Sequence, residues 1–430
     1  MFDWANSVYN LVITTTFFPI YFTSVAKNAD GTNIIPFLGF RFVNSSLYTY
    51  ALAAAYLLIA IAYPILTSVA DTRGNKKSFM QFFSFIGAFG CSMLFFFTGM
   101  DTLWIGILSF MLAAMGYVGS LVFYNAYLPE IAAPQDRDRI SAKGFSYGYI
   151  GSVIMQLVGF GLIVLMADDG KATRITFLLV GLWWFGFAQI TFARLPKRTG
   201  QELKKVNVIK DGFSAVKKVY KEINAMPVLK RFLRGFFFYS MGVQTVMLAA
   251  TVVGSELLGL PREKLIISVV LIQLVAIAGA IVISRLSARF GNIKMLIGLI
   301  FFWIAVCVGG YYTANYKETG GNPEYAFYCL AIAVGLVMGG IQSLSRSTYS
   351  KFMPQTKNTA SYFSYYDLTE KIAIVIGMFS FGFIAEYTRE HGGMKNSLLA
   401  LIIFFLIGLA WLYSALRKQK QLGGGNPLIK

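Results

Sequence analysis

The sequence is poor in charged residues, and poorest in acidic ones. Charged residues make up 13% of the chain, with 20 Asp and Glu against 38 Lys and Arg, and there is one histidine. The three cysteines, Cys91, Cys307 and Cys329, lie in apolar runs without paired spacing, which argues against a disulfide framework and a zinc site. No Walker-type phosphate loop is present, so we expect no cofactor, no metal and no ATP hydrolysis.

Apolar residues dominate the chain instead. They account for 56% of the 430 residues and form runs of the roughly 20 residues that a helix needs to cross the hydrocarbon layer. The short alternating segments of a membrane barrel are not seen. The pattern predicts an all-α integral membrane protein with twelve transmembrane helices, at 3–26, 46–70, 77–99, 102–124, 141–167, 174–194, 230–256, 264–285, 293–313, 325–346, 360–385 and 397–416.

The basic residues lie mainly in alternate connections between these runs. By the positive-inside rule, this distribution predicts that both termini are cytoplasmic. The excess of basic residues, which gives the chain a net charge of +18, is thus explained by the orientation of the protein in the membrane. No nucleic-acid partner is expected. We expect a multi-pass protein of a bacterial inner membrane, with membrane lipid as its surroundings.

The longest polar stretch separates two sets of six predicted helices. Its apolar residues recur at spacings of three and four between lysines, from Val206 to Ile223, which predicts an amphipathic helix lying on anionic lipid. The chain is thus expected to have four parts: an N-terminal six-helix bundle at 1–194, a cytoplasmic linker at 195–229, a C-terminal six-helix bundle at 230–416 and a cytoplasmic tail at 417–430.

Short sequences recur at equivalent places in the two halves. The sequence RGNKK at 73–77 follows the second predicted helix, and FGNIK at 290–294 follows the eighth. YLPE at 127–130 and FMPQ at 352–355 end the fourth and tenth helices, and FSY occurs near the start of the fifth and the eleventh. Repeats of this kind are typical of transporters and predict two bundles related by a pseudo-two-fold axis.

Two resemblances sharpen this prediction. Twelve helices in two repeats, with ADTRGNKK at 70–77, resemble the major facilitator superfamily, which implies its fold. Within it, the chain resembles the autophagy-related vacuolar effluxer-like family, through DWANS at 3–7, YNAYLPE at 124–130, GFSYGY at 144–149 and GGIQSLSRS at 339–347. That resemblance implies secondary transport, and amino-acid efflux is attributed to a fungal member. Because the chain starts close to DWANS, we expect Asp3 nearer the membrane surface than its counterpart in relatives.

Uncharged polar side chains are the candidates for substrate binding. Asn6, Tyr9 and Asn10 are spaced to form one polar face of the first helix. The resemblance to the superfamily implies that helices 1, 4, 7 and 10 line a central cavity, and the remaining candidates on those helices are Asn125, Gln244, Gln342, Ser343 and Ser345. As a set they favour a polar, uncharged or zwitterionic solute. The alternative is that they form hydrogen bonds between helices.

Three ionisable residues lie inside the eleventh predicted helix, where charge is expensive unless it is paired. Asp367 and Lys371 have the spacing of an i,i+4 ion pair, whereas Glu370 has no such partner. One interpretation is a proton-responsive or switchable site, with Glu370 as the titrating group. The other is a self-neutralised structural pair.

A second set of charged residues is predicted to gate the cytoplasmic side. Asp71, with Arg73 and Lys77, is expected to face the positive N-terminus of the eleventh helix, where Thr359 can cap. Glu130 is expected to pair with Arg137 or Arg139, and Asp3 is a further candidate. The alternative is that the basic residues only anchor the topology.

The sequence therefore predicts a secondary active transporter that moves a small polar solute, such as an amino acid or small peptide-like molecule, by alternating access. H⁺ is the candidate coupling ion, and the protein is expected to be a monomer. One alternative is a flippase for an amphiphile or lipid-linked substrate on the same fold. The other is a membrane enzyme, which needs clustered acids, histidines or metal ligands. The sequence offers only His391 and the pair Asp168 and Asp169 for that purpose.

Overall fold

The computed structural model describes residues 1–28, 31–196, 208–388, 390 and 392–422. His391 and Val206 lie outside the described residues. The described chain is almost wholly helical. The α-helices are, in order, α1 Phe2–Val8, α2 Phe18–Val25, α3 Asn44–Arg73, α4 Lys76–Met93, α5 Leu103–Ile131, α6 Arg137–Leu165, α7 Asp169–Arg194, α8 Val208–Ala225, α9 Pro227–Val252, α10 Arg262–Phe290, α11 Asn292–Glu318, α12 Glu324–Phe352, α13 Thr359–Tyr387 and α14 Met394–Leu422.

Twelve helical segments of the described chain are long and apolar enough to cross a membrane, which confirms the predicted number. Each predicted run overlaps one of these segments. The runs 3–26, 77–99 and 141–167 end beyond Val25, Phe96 and Leu165, whereas most helices extend beyond their run. The fourth run was predicted to end at 124, for example, and α5 continues to Ile131. The reason is that hydropathy marks the part of a helix in hydrocarbon, whereas the backbone hydrogen bonds continue into the polar interface.

The first span contains a stretch of π-helix that the sequence did not predict. It joins α1 to α2 and covers Tyr9–Phe17. Because a π-helix has a longer repeat than an α-helix, the positions that share a face shift there. Asn6 and Tyr9 are fully buried, whereas Asn10 is half-buried, so the three do not share one environment as the α-helical spacing predicted.

A β-hairpin in the connection between the first two spans was also missed. Its strands, β1 Ile34–Phe37 and β2 Phe40–Val43, pair antiparallel. Leu38 and Gly39 form the two-residue turn, both with positive φ, at 49° and 81°. Hairpin turns of this length favour that left-handed conformation, although Leu is an unusual residue there. The hairpin is too short to give the hydropathy pattern a visible alternation.

One compact unit comprises Met1–Ala126 and Tyr147–Ala215. Within it, α4 packs closely on α7 and on α5. A Cβ added at Gly116 on α5 would lie 2.3 Å from the backbone of Gly87 on α4. A Cβ added at Gly87 would lie 2.2 Å from the Trp184 ring on α7. Phe18 and Phe110 stack with ring centroids 4.0 Å apart. Small residues therefore set the distance between these helices.

The other compact unit comprises Tyr127–Ser146 and Val216–Lys430. Its main helix pairs are α10 with α12, and α9 with α14. The end of α5 and the start of α6 belong to this unit, although the rest of both helices belongs to the first. The compact units therefore divide the chain differently from the four predicted parts, which stay a prediction.

The linker does contain a helix, α8. In its described part, the side chains of Val219 and Ile223 are buried, and the Tyr362 hydroxyl on α13 donates a hydrogen bond of 2.6 Å to Glu222 Oε2. Lys217, Lys218 and Lys221 are exposed. One side of α8 thus packs on protein, and its predicted binding to anionic lipid stays a prediction.

Candidate functional site

The first span places three polar groups inside the first unit. Asp3 is 4% exposed and accepts a hydrogen bond from the Tyr124 hydroxyl on α5. Asn6 and Tyr9 follow one and two turns later and are fully buried. Asn125, also buried, neighbours Tyr124. The structure therefore joins Asp3 of the first span to Tyr124, which precedes the candidate Asn125 in the fourth span.

Asn6 and Tyr9 are unusual because their polar atoms are buried without partners. Among the described residues, no group hydrogen-bonds to Asn6 Oδ1, to Asn6 Nδ2 or to the Tyr9 hydroxyl. The Tyr9 ring packs against those of Tyr117 and Trp184, at centroid distances of 5.3 and 6.0 Å. An unsatisfied buried polar group costs about 1–3 kcal/mol. The site thus offers hydrogen-bond donors and acceptors that protein atoms leave unused.

The candidates of the second unit form a different kind of site around Glu370. Gln244 Nε2 on α9 donates a hydrogen bond of 2.9 Å to Glu370 Oε1 on α13. Lys371 Nζ lies 3.6 Å from Glu370 Oε2, and the two side chains are 18% and 22% exposed. The carboxylate that was expected to stand without an i+4 partner therefore has a charged neighbour at i+1. Asp367 is buried on the same helix.

The tenth-span candidates on α12 are engaged mainly within the unit. Ser345 Oγ lies 2.7 Å from the Tyr239 hydroxyl and donates to the Ile341 carbonyl. Ser343 Oγ donates to the Gly339 carbonyl at 2.7 Å. Gln342 Nε2 approaches Met247 Sδ at 3.6 Å, a weak contact. The two serine hydroxyls therefore stabilise α12 and its packing as well as being binding candidates.

The predicted gate residues Asp71, Arg73 and Lys77 lie at the end of α3 and the start of α4. Asp71 pairs with Lys76 at 3.3 Å, and both side chains are almost fully buried. Lys77 Nζ donates to the Leu195 carbonyl at 3.1 Å, whereas Arg73 is exposed. The sequence therefore identified the acidic residue, but its ion pair is to Lys76, for which only a role in membrane topology was expected.

Glu130 and Thr359 have partners other than those predicted. Thr359 is the first residue of α13, and the side chain of the preceding Asn358 does not cap the helix. The Thr359 hydroxyl donates a hydrogen bond of 3.0 Å to Glu130 Oε1. The expected pairing of Glu130 with Arg137 or Arg139 is not formed among the described residues. Arg137 donates instead to backbone carbonyls, including that of Ser350 at 2.6 Å, and Arg139 to Asp136.

A buried polar cluster around Asp138 was not predicted from the sequence. Asp138 lies in the first turn of α6, is 4% exposed, and pairs with Lys351 Nζ on α12 at 2.5 Å. It also accepts hydrogen bonds from Asn292 Nδ2 at 2.8 Å and from Ser287 Oγ at 3.1 Å. We call Asp138, Ser287, Asn292 and Lys351 the Asp138 cluster. Asn292 belongs to FGNIK, which repeats the RGNKK sequence of the first half. That repeat is the sequence feature that could have identified Asn292 as a candidate.

Arg346 ties the same part of α6 to α12. Its guanidinium donates to Ser141 Oγ and to the Ser141 carbonyl at 2.9 and 3.0 Å, and lies 4.4 Å above the Phe145 ring centre. Ser141 Oγ in turn donates to the Ser343 carbonyl at 2.8 Å. Arg346 is 5% exposed. Its charge is thus held by hydrogen bonds and an aromatic face inside the unit.

The comparisons with known proteins agree with this architecture. The family model described as "Vacuole effluxer Atg22 like" matches residues 1–422. The MFS-type transporter YxiO of Bacillus subtilis (strain 168) is 30% identical over 95% of this chain and 92% of its own. Autophagy-related protein 22 of Yarrowia lipolytica (strain CLIB 122 / E 150) is 22% identical over 92% of this chain and 80% of its own.

Solved structures of major facilitator transporters share the fold. The human organic anion transporter MFSD10 superposes with a TM-score of 0.70 at 11% identity, over 96% of this chain and 98% of its own. The transporter FucP in its outward conformation gives 0.67 at 13% identity, over 96% of both chains. The family model and the Bacillus subtilis relative confirm the prediction of a transporter rather than a membrane enzyme. The chain is an integral membrane transporter of the major facilitator superfamily and belongs to its vacuole effluxer Atg22-like family.

Proposed function

We propose that this transporter moves a small polar solute, an amino acid or small peptide-like molecule, by alternating access coupled to H⁺. The observation that carries the coupling is Glu370, a carboxylate near the middle of α13 that contacts Gln244 and Lys371. Acidic side chains inside membrane spans are costly and mark ion pathways. Efflux as the direction is supported by the family description.

Protonation of Glu370 offers a direct link between proton binding and helix movement. The ionised carboxylate holds Gln244 on α9 and the ammonium of Lys371 beside it. Adding a proton removes the negative charge, which weakens both interactions. The contact between α9 and α13 then becomes easier to break, so a proton gradient can bias the conformational equilibrium.

The proposed substrate class is supported by the unused polar atoms of the first span. The Asn6 amide and the Tyr9 hydroxyl can accept and donate hydrogen bonds without carrying a charge. Gln342 on α12 and the half-buried Asn10 add further uncharged groups. Such a set suits the polar part of a neutral or zwitterionic solute. Asn125, Gln244, Ser343 and Ser345 complete the proposed set.

We propose that the Asp138 cluster and Arg346 close one side of the transport path. They fasten the turn between α5 and α6 to α10, α11 and α12, and both α5 and α6 continue into the first unit. A change of access that moved the start of α6 away from α12 would break the ion pair of Asp138 with Lys351. Within the second unit, Glu130 with Thr359 adds to these proposed gate contacts. Within the first unit, the proposed gate residues are Asp71 with Lys76, together with Asp3, Arg73 and Lys77.

Both termini are proposed to be cytoplasmic in a bacterial inner membrane, and the transporter to act as a monomer. The support for the orientation is the concentration of basic residues on the connections of one side. Alkaline phosphatase fused after α14 should be inactive in bacteria, and fused in the β1–β2 hairpin it should be active. The opposite pattern of activities would reverse the orientation.

Flux into proteoliposomes tests the transport proposal. Labelled neutral amino acids and short peptides are offered with and without a pH gradient to wild-type protein, to Glu370→Gln and to Glu318→Gln. Glu318→Gln is the control, because it makes the same substitution at an exposed carboxylate that pairs with Lys395. We expect accumulation that follows the gradient in wild type and in Glu318→Gln, and no gradient-driven accumulation in Glu370→Gln.

Two other outcomes would overturn parts of this proposal. Gradient-driven accumulation by Glu370→Gln equal to wild type would remove that residue from the coupling step. No flux of any polar solute, together with transbilayer movement of a fluorescent lipid, would favour the flippase alternative on the same fold.

A further inference from the structure

The ends of α9 and α14 enclose a groove lined by basic side chains. Two adjoining cavities of about 360 and 300 Å³ share Arg231 and Ser414. We call the lining cations the basic groove: Lys230, Arg231, Arg234, Arg417 and Lys418. No carboxylate among the described residues lines either cavity. An anion bound among these cations would offset their mutual repulsion.

Arg231 is held in place at the centre of the groove. Its Nε donates to Ser414 Oγ at 3.0 Å and its Nη1 to the Pro227 carbonyl at 2.9 Å. These bonds leave guanidinium donors without an acceptor in the described protein. Arg231 and Arg417 form no ion pair with any described carboxylate, and a fixed guanidinium of this kind suits bidentate binding of a phosphate group.

Trp411 marks the depth of the groove in the membrane. The Arg234 guanidinium carbon lies 4.6 Å from its ring centroid, and tryptophan is enriched where membrane spans meet the headgroup region. The groove lies on the side that the sequence predicts to be cytoplasmic. Basic pockets between spans at that level are typical sites for anionic headgroups.

An exposed apolar stripe runs from the groove along α14. Ile403, Leu406, Ala410 and Tyr413 are spaced by three and four residues, and all four are exposed in the isolated chain. That spacing puts them on one face of the helix, and the last two also line the groove. An acyl chain lying along this stripe would place its phosphate beside Arg231 and Arg417, whereas free phosphate would leave the stripe unused.

We propose that the basic groove binds the phosphate-bearing headgroup of an anionic membrane lipid, with an acyl chain along the α14 stripe. The shared chemistry of the ligand is a phosphate anion, and the stripe identifies lipid rather than soluble phosphate as its source. This binding is independent of the transported solute, since it uses residues outside the proposed transport site.

Thermal unfolding of the full-length protein in detergent tests this proposal. The protein is mixed with phosphatidylglycerol, with phosphatidylcholine or with inorganic phosphate, and lipid retention is followed by native mass spectrometry. The test variant is Arg231→Gln with Arg417→Gln. Its matched control is Arg285→Gln with Arg289→Gln, two exposed arginines at the end of α10 on the same predicted side.

We expect phosphatidylglycerol alone to raise the unfolding temperature and to be retained by wild type and by the control. The test variant should bind it roughly 25-fold more weakly, since each basic residue near an anionic surface contributes about a fivefold factor. Because Arg231→Gln also loses its bonds to Ser414 and Pro227, each variant's unfolding temperature without lipid is the baseline for its lipid-induced shift. Equal retention by both variants, equal retention of phosphatidylcholine, or the same stabilisation by inorganic phosphate would each overturn the proposal.

Discussion

At the scale of single residues, the fully buried side chains Asn6 and Gln156 make a useful contrast. Gln156 Nε2 donates to the Leu11 carbonyl at 2.9 Å and to Thr16 Oγ1 at 3.0 Å, whereas the Asn6 amide has no partner among the described residues. Both are 0% exposed. Their different bonding implies different roles, since one amide stabilises the unit and the other destabilises it.

The contrast predicts opposite effects of the same substitution. Asn6→Leu removes an unsatisfied amide and should leave the unfolding temperature unchanged or raised, while transport falls by at least about tenfold because a substrate contact is lost. Gln156→Leu removes hydrogen bonds that are made, at a cost of about 0.5–1.5 kcal/mol each, and should lower the unfolding temperature. Scanning fluorimetry and solute flux are measured for both. A large loss of stability in Asn6→Leu with normal transport would contradict this assignment.

The sequence identified several candidate residues but not their contacts. Asn6 and Glu370 stand out because polar groups are rare in apolar runs, and Asp71 stands out as an acidic residue in a basic loop. Asp138 does not stand out, because it lies between Arg137 and Arg139 in a polar turn and its partners are remote in sequence. Only the tertiary structure shows that Lys351, Asn292 and Ser287 surround it. The pairing of Asp71 with Lys76 rather than with Arg73 or Lys77 likewise depends on local geometry.

At the scale of elements, the turn between α5 and α6 contains two aspartates in different environments. Asp138 is buried and paired with Lys351, whereas Asp136 pairs with Arg139 with side chains 42% and 77% exposed. Removing one partner of a buried ion pair is strongly destabilising, but an exposed pair contributes only about 0–1 kcal/mol. The two positions therefore provide a test and its matched control.

Asp138→Ala should release this turn from α12, and Asp136→Ala should not. Hydrogen–deuterium exchange should accelerate in 134–142 for the first variant and match wild type for the second. A double variant, Asp138→Leu with Lys351→Met, should recover part of the protection, since it leaves no unpaired charge. Unchanged exchange in Asp138→Ala would show that the ion pair does not hold the turn.

Close helix packing gives a second test at this scale. A Cβ at Gly116 would lie 2.3 Å from the Gly87 backbone, where α4 and α5 cross, whereas Gly161 has no heavy atom within 4 Å of such a Cβ. Overpacking of a rigid contact costs about 1–3 kcal/mol. Gly116→Ala should therefore lower the unfolding temperature, and Gly161→Ala should leave it unchanged. Equal unfolding temperatures for the two variants would contradict the packing described.

Element types followed from hydropathy where the apolar runs were long, and failed where the signal was short. All twelve spans were predicted, because the bilayer fixes the length of a helix and requires its backbone to bond internally. The π-helix at Tyr9–Phe17 changes the helical repeat without changing composition, so the α-helical spacing used to group Asn6, Tyr9 and Asn10 holds only up to Val8. The β1–β2 hairpin is short, and its turn uses Leu38 where Gly or Asn would have been recognisable.

At the scale of the whole molecule, the resemblance carried by twelve apolar runs, two repeats and the ADTRGNKK loop indicated the superfamily that the comparisons show. Local matches such as RGNKK and FGNIK placed corresponding loops in two halves, and the family model over residues 1–422 agrees with that resemblance. The boundary between compact units could not be predicted, because Tyr127–Ser146 belongs by sequence to the first half and by contacts to the second unit. This segment contains Glu130 and Asp138 of the proposed gate.

The central claim, that solute flux is coupled to protons through Glu370, is tested most directly by measuring both fluxes in the same vesicles. Wild-type protein is reconstituted with a pH-sensitive dye inside, a gradient of the transported amino acid is imposed without a pH gradient, and internal pH is recorded. We expect a pH change that requires the solute, is retained in Glu318→Gln and is abolished in Glu370→Gln. Solute flux without any proton movement in wild type would contradict the claim and identify a uniporter.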